Sequence, residues 1–374
     1  MKKANKPIVI VGAGFSGSVL AECLASSGRK IFLIEKRAHV GGNCYDYPDE
    51  NGILIHKYGP HIFHTNSDKV WEYLLRFTEW LPYMHRVMAK IENKYIPIPV
   101  NLNTIYDLFT EERAKLLERK LEEHFGLGQK IPILELLNSG DSDIKDMADI
   151  IYKKIYLNYS IKQWGTSPDK LDSRVTGRVP VWTDRDDRYF KDKHQGIPKE
   201  GYTAIFKRML DHSNIEMILN NDFMDVVSGI EHEMLIYTGP IDSFFNYKFG
   251  KLPYRSLRFE LEPLNIERFQ DVAVVNYPGE EPFIRITEFK HFTGLKCART
   301  VILREYPEEY APKMNVPCYP VLQSESVARH QKYRTEARKL KNVVFVGRLA
   351  EYKYYNMDEA VERALNVFEE IAKE

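Results

Sequence analysis

A glycine-rich turn between an apolar strand and a helix constrains this fold more than any other feature. The run Ile8–Val11 is too short for a helix and is rich in β-branched residues, so it predicts a buried strand. Gly12, Gly14 and Gly17 follow at once and lead into a predicted helix over Ser18–Ser26. Glycines at this spacing permit a tight turn, the approach of a pyrophosphate to the backbone, and close packing of the helix on the sheet. The positive end of the helix then faces the phosphates.

An acidic residue at the end of the second apolar run indicates the ligand class. Ile31–Ile34 predicts a second strand, and Glu35 follows it, 18 residues after Gly17. An acidic side chain at this place accepts hydrogen bonds from a ribose diol and disfavours a 2′-phosphate. The stretch therefore predicts a dinucleotide site in an α/β fold. The alternative is a glycine-rich turn in an unrelated α/β protein.

The residues after Glu35 distinguish between the dinucleotides. Lys36 and Arg37 come directly after it, and Gly41–Asn43 is a second flexible turn that can approach the same pyrophosphate. Two such turns are more typical of FAD enzymes of the amine-oxidase and mutase type than of NAD dehydrogenases. The sequence therefore predicts FAD, bound without a covalent link.

The charge balance argues against binding to nucleic acid or an anionic membrane, and the spacing of the cysteines and histidines argues against a metal site. The 374 residues include 53 basic and 53 acidic side chains, and a balanced chain has no global field for nucleic acid or an anionic membrane. The cysteines are scattered, at Cys23, Cys44, Cys297 and Cys318. His61 and His64 lie three residues apart, but Pro60 precedes them and no third ligand matches, so no metal site is predicted. No run of 18 apolar residues is present, and the expected location is the cytoplasm.

Periodicity divides the chain into three kinds of segment. A Rossmann-like FAD-binding domain is expected to be assembled from residues 1–85, 195–240 and 335–374. Residues 100–175 predict a helical substrate domain, and the arginine-rich residues 166–188 predict a mobile surface loop. Residues 86–99 and 241–320 predict an antiparallel sheet domain.

Nine short segments, spread over nearly the whole chain, occur together in one order. They read VGAGFSG, IEKRAHVGGN, YGPHIFHT, IKQWG, GYT, TGPID, RITE, CYPV and GRLAEYKYYNMD. In this combination the chain resembles the prokaryotic UDP-galactopyranose mutases. The resemblance implies an FAD-binding domain built from separated pieces, a helical domain and an antiparallel six-stranded sheet. It also implies an isomerase that interconverts the pyranose and furanose forms of a nucleotide sugar, first of all UDP-galactose, for the synthesis of galactofuranose-containing cell-surface polysaccharide.

The resemblance further implies a reaction in which the flavin must be reduced although no net redox change occurs. Loss of the diphosphate from the anomeric carbon creates oxocarbenium-like charge, and N5 of the reduced flavin attacks C1. The covalent adduct splits one hard step into two easier ones, the sugar ring opens, and the 4-hydroxyl then closes on C1. The implied partners are a nucleotide sugar, a reductant such as NAD(P)H, and a second copy of the chain in a homodimer.

The matching motifs assign roles to individual residues. Arg178 and Arg285 are expected to hold the diphosphate, for which the bidentate, permanently charged guanidinium is suited. The other expected substrate-binding residues are Tyr159, Trp164, Tyr189, Asn276, Tyr319, Tyr354 and Asn356. His61 and Trp164 join the two arginines as the catalytic set, with His61 expected mainly to support the flavin. The expected cofactor-binding residues are Gly12, Gly14, Phe15, Ser16, Gly17, Glu35, Lys36, Arg37, Gly42, Asn43, His61, Gly347, Arg348, Tyr354 and Met357.

A few positions depart from the members best known for UDP-galactose. Asn356 stands where many have aspartate, Trp182 where arginine is common, and His85 where asparagine is usual; Ile155 and Tyr156 replace paired phenylalanines. These positions surround the base and sugar pockets and leave the flavin motifs alone. The same chemistry on another nucleotide sugar, such as UDP-N-acetylgalactosamine, dTDP-fucose or a GDP-linked sugar, is the first alternative. An FAD oxidoreductase similar to amine oxidases, or a flavoprotein used only as a binding module, are the others.

Overall fold

A five-stranded parallel sheet forms the centre of the nucleotide-binding part of the protein. The computed structural model of the chain describes residues 6–166, 180–226, 229–312 and 314–373. Ile8 pairs with Ile31 on one side and with Met234 on the other, so the first apolar run is the central strand, and it is buried as predicted. In spatial order the strands are Ile215–Leu219, Ile31–Glu35, Ile8–Val11, Met234–Tyr237 and Val343–Phe345.

The helix Phe15–Ser26 follows the central strand directly, because Gly14 takes the extended N-cap position. The helix is buried along almost its whole length, since it packs against two further helices, Tyr202–Leu210 and Met357–Ala372. The C-terminal helix brings the end of the chain back to the first helix. The α/β class and the Rossmann-like arrangement predicted from the sequence are thereby confirmed.

Two small antiparallel sheets and one helix flank this core. One sheet pairs Asp46–Pro48 with Leu54–His56. The other places His194–Pro198 between Phe63–Thr65 and Trp80–Pro82. The helix Asp68–Leu75 begins after Ser67, whose side chain accepts a hydrogen bond from the Val70 N–H group.

A seven-stranded sheet forms the second layer. Its strands, in spatial order, are Tyr319–Pro320, Tyr254–Leu264, Thr300–Glu309, Arg285–Glu288, Val274–Asn276, Val87–Ile91 and Lys94–Ile98. The predicted sheet is present and differs from the prediction in two respects. The two-residue strand Tyr319–Pro320 extends it beyond six strands, and Val274–Asn276 pairs with Val87–Ile91 in parallel rather than antiparallel fashion. The predicted hairpin is also present, with Glu92 at its tip in the left-handed region at φ 55°.

A helical segment follows the hairpin. Its helices are Leu102–Leu108, Glu111–Phe125, Ile133–Leu137, Ser142–Ile151 and Asn158–Trp164, and the last two are joined by a π-helical turn at Tyr152–Leu157. Gly165 ends the segment in the left-handed conformation at φ 66°. Arg255 from the second sheet donates to the carbonyl oxygens of Gln163 and Lys162 there. The helix that carries Tyr159 and Trp164 is therefore fastened to the sheet.

Of the predicted mobile loop, residues 166–188, the structure describes residue 166 and residues 180–188. Residues 167–179, and with them Arg178, lie outside the described residues. Pro180–Trp182 is a strand paired with Lys130–Pro132, and Arg185 forms an ion pair with Glu118. These contacts hold residues 180–188 against the helical segment. The domain boundaries stay a prediction.

The other described helices are four short ones, at Gly42–Cys44, Phe223–Val226, Ile241–Phe244 and Lys290–Thr293, and a longer one at Ser324–Ala337. Within the described ranges, no helix combines the length and apolar character needed to cross a bilayer.

Candidate active site

Three glycine turns converge at the start of the first helix. Gly42 approaches Gly14 so closely that a Cβ on Gly42 would lie 3.0 Å from the Cα of Gly14. A Cβ on Gly347 would lie 2.8 Å from the hydroxyl oxygen of Ser16, and one on Gly17 would lie 1.9 Å from the carbonyl oxygen of Gly12. The helix beginning at Phe15 thus starts beside glycine backbone from two distant segments, at Gly42 and Gly347. This arrangement fits a pyrophosphate, which binds to N–H groups at a helix N-terminus.

Glu35 lies at the end of the neighbouring strand, beside this cradle. Its buried carboxylate accepts hydrogen bonds from the N–H groups of Ala13, at 2.8 Å, and Arg37, at 2.9 Å. A carboxylate has about four lone-pair directions, so Glu35 can still accept from a ribose diol. The strand–turn–helix geometry expected from the sequence is therefore present.

Arg37 presents an unpaired donor in the same region. One of its terminal nitrogens donates to the side-chain oxygen of Asn43, at 2.8 Å, and the guanidinium lies 4.5 Å from the ring centre of Tyr58. The other terminal nitrogen, Nη1, is buried and has no hydrogen-bond partner among the described residues. Buried donors are normally satisfied, so this atom is available to an acceptor on a bound ligand. Lys36 beside it has a lowered pKa because of burial.

His61 lies in the segment that joins the cradle to the second sheet. Its Nδ1 atom donates to the carbonyl oxygen of Gly59, at 2.8 Å, and its backbone N–H group donates to Nδ1 of His56, at 3.0 Å. Burial lowers the pKa of His61 to about 4 and that of His56 to about 3. Both imidazoles are therefore neutral near pH 7, which suits a positioning role for His61 better than that of an acid.

Arg285 is the centre of a polar cluster on the second sheet. The strand register places Arg285 opposite Asn276 on one side and opposite Glu305 on the other. Its guanidinium donates to the Tyr159 hydroxyl at 2.9 Å and to the Asn276 side-chain oxygen at 3.3 Å, and it lies 3.7 Å from the Glu305 carboxylate. Burial alone would lower the pKa of Arg285, but Glu305 and Tyr159 raise it well above its usual value. Arg285 is thus a fixed positive charge.

A row of aromatic rings lies next to Arg348. The rings of Tyr319 and Tyr354 are stacked at 5.3 Å and 8°, and Trp164 meets Tyr319 edge-on at 6.2 Å. The Arg348 guanidinium lies 5.4 and 5.3 Å from the two tyrosine ring centres. It is held by hydrogen bonds to the carbonyl oxygens of Cys318 and Tyr355. The structure therefore brings four of the residues implied by the resemblance into one group.

The remaining predicted residues lie around this centre. Tyr189 donates its N–H group to the carbonyl oxygen of His85 at 2.7 Å, with the two rings 5.6 Å apart. His85 is buried, and burial lowers its pKa to about 3.

Asn356 is the N-cap residue of the C-terminal helix, which begins at Met357, and its N–H group donates to Glu359 at 2.6 Å. Ile155 and Tyr156 are both buried, whereas the Trp182 ring packs under Lys191.

Two residues of the cluster were missed by the sequence analysis. Glu305 is buried and pairs directly across the sheet with Arg285, and its signal was a carboxylate two residues after the apolar run Val301–Leu303. Lys162 donates hydrogen bonds to four carbonyl oxygens of one loop, those of Tyr277, Gly279, Glu281 and Phe283, at 2.5 to 3.2 Å. This loop connects Asn276 to Arg285, so Lys162 fixes the position of both. No pattern in the sequence reveals acceptors of this kind.

Comparison with known proteins decides the family. Residues 154–354 match the family model described as UDP-galactopyranose mutase, and residues 10–77 match a NAD(P)-binding Rossmann-like domain. A probable UDP-galactopyranose mutase of Klebsiella pneumoniae is 36% identical over 369 residues, which cover 98% of this chain and 94% of that protein. The chain belongs to the UDP-galactopyranose mutase family. It is therefore a mutase, an enzyme of the isomerase class.

A second family member supports the mutase assignment, and a solved structure shows the same fold. The dTDP-fucopyranose mutase of Escherichia coli is 34% identical, with 96% of each chain covered. The fold is similar to the crystal structure of a reduced UDP-galactopyranose mutase, with a TM-score of 0.73, 17% identity, and coverage of 99% of this chain and 96% of that one. Family members named for two different substrates thus match this mutase at nearly equal identity.

Proposed function

We propose that this mutase binds FAD without a covalent link and, with the flavin reduced, interconverts the pyranose and furanose forms of a nucleotide sugar, with UDP-galactose as the first candidate. The observation that carries the proposal is the Arg285 cluster. A permanently charged, largely buried arginine, positioned by Tyr159 and Asn276, lies on the seven-stranded sheet. The segment that carries His61 comes close to this sheet at Gly59, beside Phe259, and to the cradle at Tyr58, whose ring faces Arg37.

The cradle supports FAD through three separate features. The glycine turns leave room for a pyrophosphate, Glu35 can accept from a ribose diol, and Arg37 has a buried donor without a partner. Gly42, Asn43 and Gly347 extend the cradle beyond a single nucleotide-binding turn, as a long dinucleotide needs. None of the four cysteines is paired with another residue through a disulfide, and the proposal involves no covalent attachment.

The residues of this chain have three tasks in the reaction. Arg285 holds the diphosphate and stabilises the charge that develops on it as the bond to the anomeric carbon breaks, and the sequence resemblance implies the same role for Arg178. Trp164, Tyr319 and Tyr354 cover the site with aromatic surface and exclude water. When bound in its reduced form, FAD would supply a nucleophile for the anomeric carbon. His61 is neutral and orients the segment between the two halves of the site.

The specificity for the sugar and the base is set by residues at which this chain departs from the members best known for UDP-galactose. His85 lies against Tyr189, and Tyr156 is buried in the π-helical turn one helix turn before Tyr159. The match to a dTDP-fucopyranose mutase supports a 6-deoxy sugar or a thymine base as the second candidate. We also propose that NAD(P)H reduces the flavin, that the protein is a homodimer, and that the furanose product supplies cell-surface polysaccharide.

A product assay tests the proposal. The FAD-loaded protein is incubated with UDP-galactose, UDP-N-acetylgalactosamine, dTDP-fucose and a GDP-linked pyranose, each with and without dithionite, and the nucleotide sugars are separated by chromatography. The expected result is a furanose product from at least one donor, formed only with dithionite. If no donor gives a product and an amine or alcohol reduces the flavin instead, the chain is an oxidoreductase.

A further inference from the structure

Glu305 is a buried carboxylate whose charge is poorly compensated. Its side chain is 2% exposed, and its Oε1 atom has no hydrogen-bond partner in the part of the chain that the structure describes. Among the described residues its cationic partner is Arg285, whose Nη1 atom is 3.7 Å from Oε1, which is beyond hydrogen-bond distance. A buried charge without hydrogen bonds is unfavourable, so the carboxylate depends on the attraction of one guanidinium.

Apart from Arg285, the described groups that face Glu305 from the other elements are uncharged. The strand on one side presents Phe259, and the strand on the other side presents Arg285. The segment above it brings Gly59 close, because a Cβ there would lie 3.7 Å from Oε2 of Glu305, and also carries the neutral His61.

Two further groups lie near this pair. Burial raises the pKa of the Cys318 thiol to about 11, so this thiol is uncharged. Arg348 lies beyond it and is hydrogen-bonded to the carbonyl oxygens of Cys318 and Tyr355. Arg285 is thus the cation on which Glu305 depends within the described residues. Burial raises the pKa of Glu305, and Arg285 opposes this shift.

We propose that binding of the nucleotide sugar is coupled to the uptake of one proton by Glu305. The inference rests on the proposed function, in which Arg285 holds the diphosphate. A diphosphate diester brings two negative charges to the guanidinium that compensates Glu305, so the carboxylate then faces net negative charge in a buried site. Protonation removes that charge, since like charges favour the neutral form of a carboxyl group. The proton comes from solvent on binding and returns to solvent when the product leaves.

The consequence is an affinity that depends on pH. Between the pKa of Glu305 in the free enzyme and its higher value in the complex, the complex holds one more proton than the separate partners. Affinity then weakens by up to about tenfold for each unit of rising pH in that window. A diphosphate diester has no titrating group near neutral pH, so this dependence belongs to the protein.

The test uses the oxidised FAD-loaded enzyme, which binds the nucleotide sugar without turning it over. The dissociation constants of UDP-galactose and dTDP-fucose are measured by the change in flavin absorbance from about pH 5 to about pH 9. Wild type is expected to show the decline in affinity, and Glu305→Gln is expected to bind with no such decline. The matched control, Glu308→Gln, removes an exposed carboxylate of the same strand and is expected to keep the wild-type slope.

Several results would overturn the coupling. A wild-type affinity that is independent of pH, or a Glu305→Gln variant that keeps the wild-type slope, removes Glu305 from the binding equilibrium. If Glu305→Gln does not fold, calorimetry of wild type in two buffers of different ionisation enthalpy gives the number of protons directly, and zero uptake throughout the range rejects the inference. Failure of every nucleotide sugar to bind would reject the proposed function as well, whereas binding without proton uptake rejects the coupling alone.

Discussion

The guanidinium of Arg285 donates a hydrogen bond to the hydroxyl group of Tyr159 at 2.9 Å. Arg285 belongs to the seven-stranded sheet, and Tyr159 belongs to the helix that follows the π-helical turn. This hydrogen bond therefore helps to join the sheet that holds the proposed diphosphate site to the helix that also carries Trp164. The geometry of the site depends on how these two elements are held together.

Arg285→Ala is expected to abolish most of the mutase activity while FAD remains bound. Removing Arg285 breaks its hydrogen-bonded charge pair with the bound diphosphate. This costs about 3 kcal/mol, which is roughly a 100-fold loss in kcat/KM. Steady-state kinetics together with the flavin absorbance of the purified protein measure both quantities. Arg258→Ala is the matched control, because Arg258 is exposed on another strand of the same sheet. Near-normal kcat/KM in Arg285→Ala would remove this residue from the site; the sequence predicts the same loss for Arg178→Ala.

Lys162→Met is expected to raise KM more than it lowers kcat. The ammonium group holds the four carbonyl oxygens of the loop between Asn276 and Arg285, so its loss allows that loop to move and reduces the time Arg285 spends in position. An increase in KM of about tenfold, or about 1.4 kcal/mol, corresponds to losing one charge-assisted hydrogen bond. Lys162→Arg is expected to restore part of the effect. An unchanged KM in Lys162→Met, equal to that of the exposed control Lys153→Met, would contradict this role.

Gly14→Val is expected to give a folded protein without FAD. A Cβ at Gly14 would lie 3.8 Å from the Cα of Gly42, which is ordinary contact, but a branched side chain would fill the gap between the two turns where the pyrophosphate fits. The flavin-to-protein absorbance ratio of the purified variant measures the loss. Gly140→Val is the control, because nothing lies within 4 Å of a Cβ there. A fully flavinated Gly14→Val protein would place the dinucleotide elsewhere.

Acid is expected to destabilise the protein below about pH 6.5 through buried neutral histidines. Burial lowers the pKa of His56 and of His85 to about 3. Between this value and the unfolded pKa of about 6.5, the unfolded chain binds protons that the folded protein does not, so the free energy of unfolding falls as the pH falls. Each histidine contributes a loss of about 2 kcal/mol at about pH 5.

Thermal unfolding at several pH values measures this effect. His85→Asn is expected to flatten the decline of Tm between about pH 6.5 and about pH 5, because one proton-binding difference is removed. The exposed His124, whose Nδ1 atom donates to the carbonyl oxygen of Lys120, provides the control variant His124→Asn. A pH profile of Tm that is identical in wild type and His85→Asn would show that His85 titrates alike in the folded and unfolded states.

Local chemistry in the sequence was sufficient to predict the dinucleotide cradle. Gly12, Gly14, Gly17 and Glu35 lie in one stretch, and the structure places them as their spacing predicts. The Arg285 cluster is different. Glu305 meets Arg285 only through the register of two strands, and Lys162 binds a loop that lies more than 100 residues further along the chain. The parallel pairing of Val274–Asn276 with Val87–Ile91 and the π-helical turn at Tyr152–Leu157 likewise leave no periodic signal.

The number of products formed for each reduction of the flavin tests the central claim most directly. The FAD-loaded enzyme is reduced once with a stoichiometric amount of dithionite in the absence of oxygen, the nucleotide sugar is added, and product and flavin absorbance are followed together. The account predicts many furanose molecules for each flavin, with the flavin still reduced at the end. One product or fewer for each flavin, with the flavin reoxidised by the sugar, would contradict it.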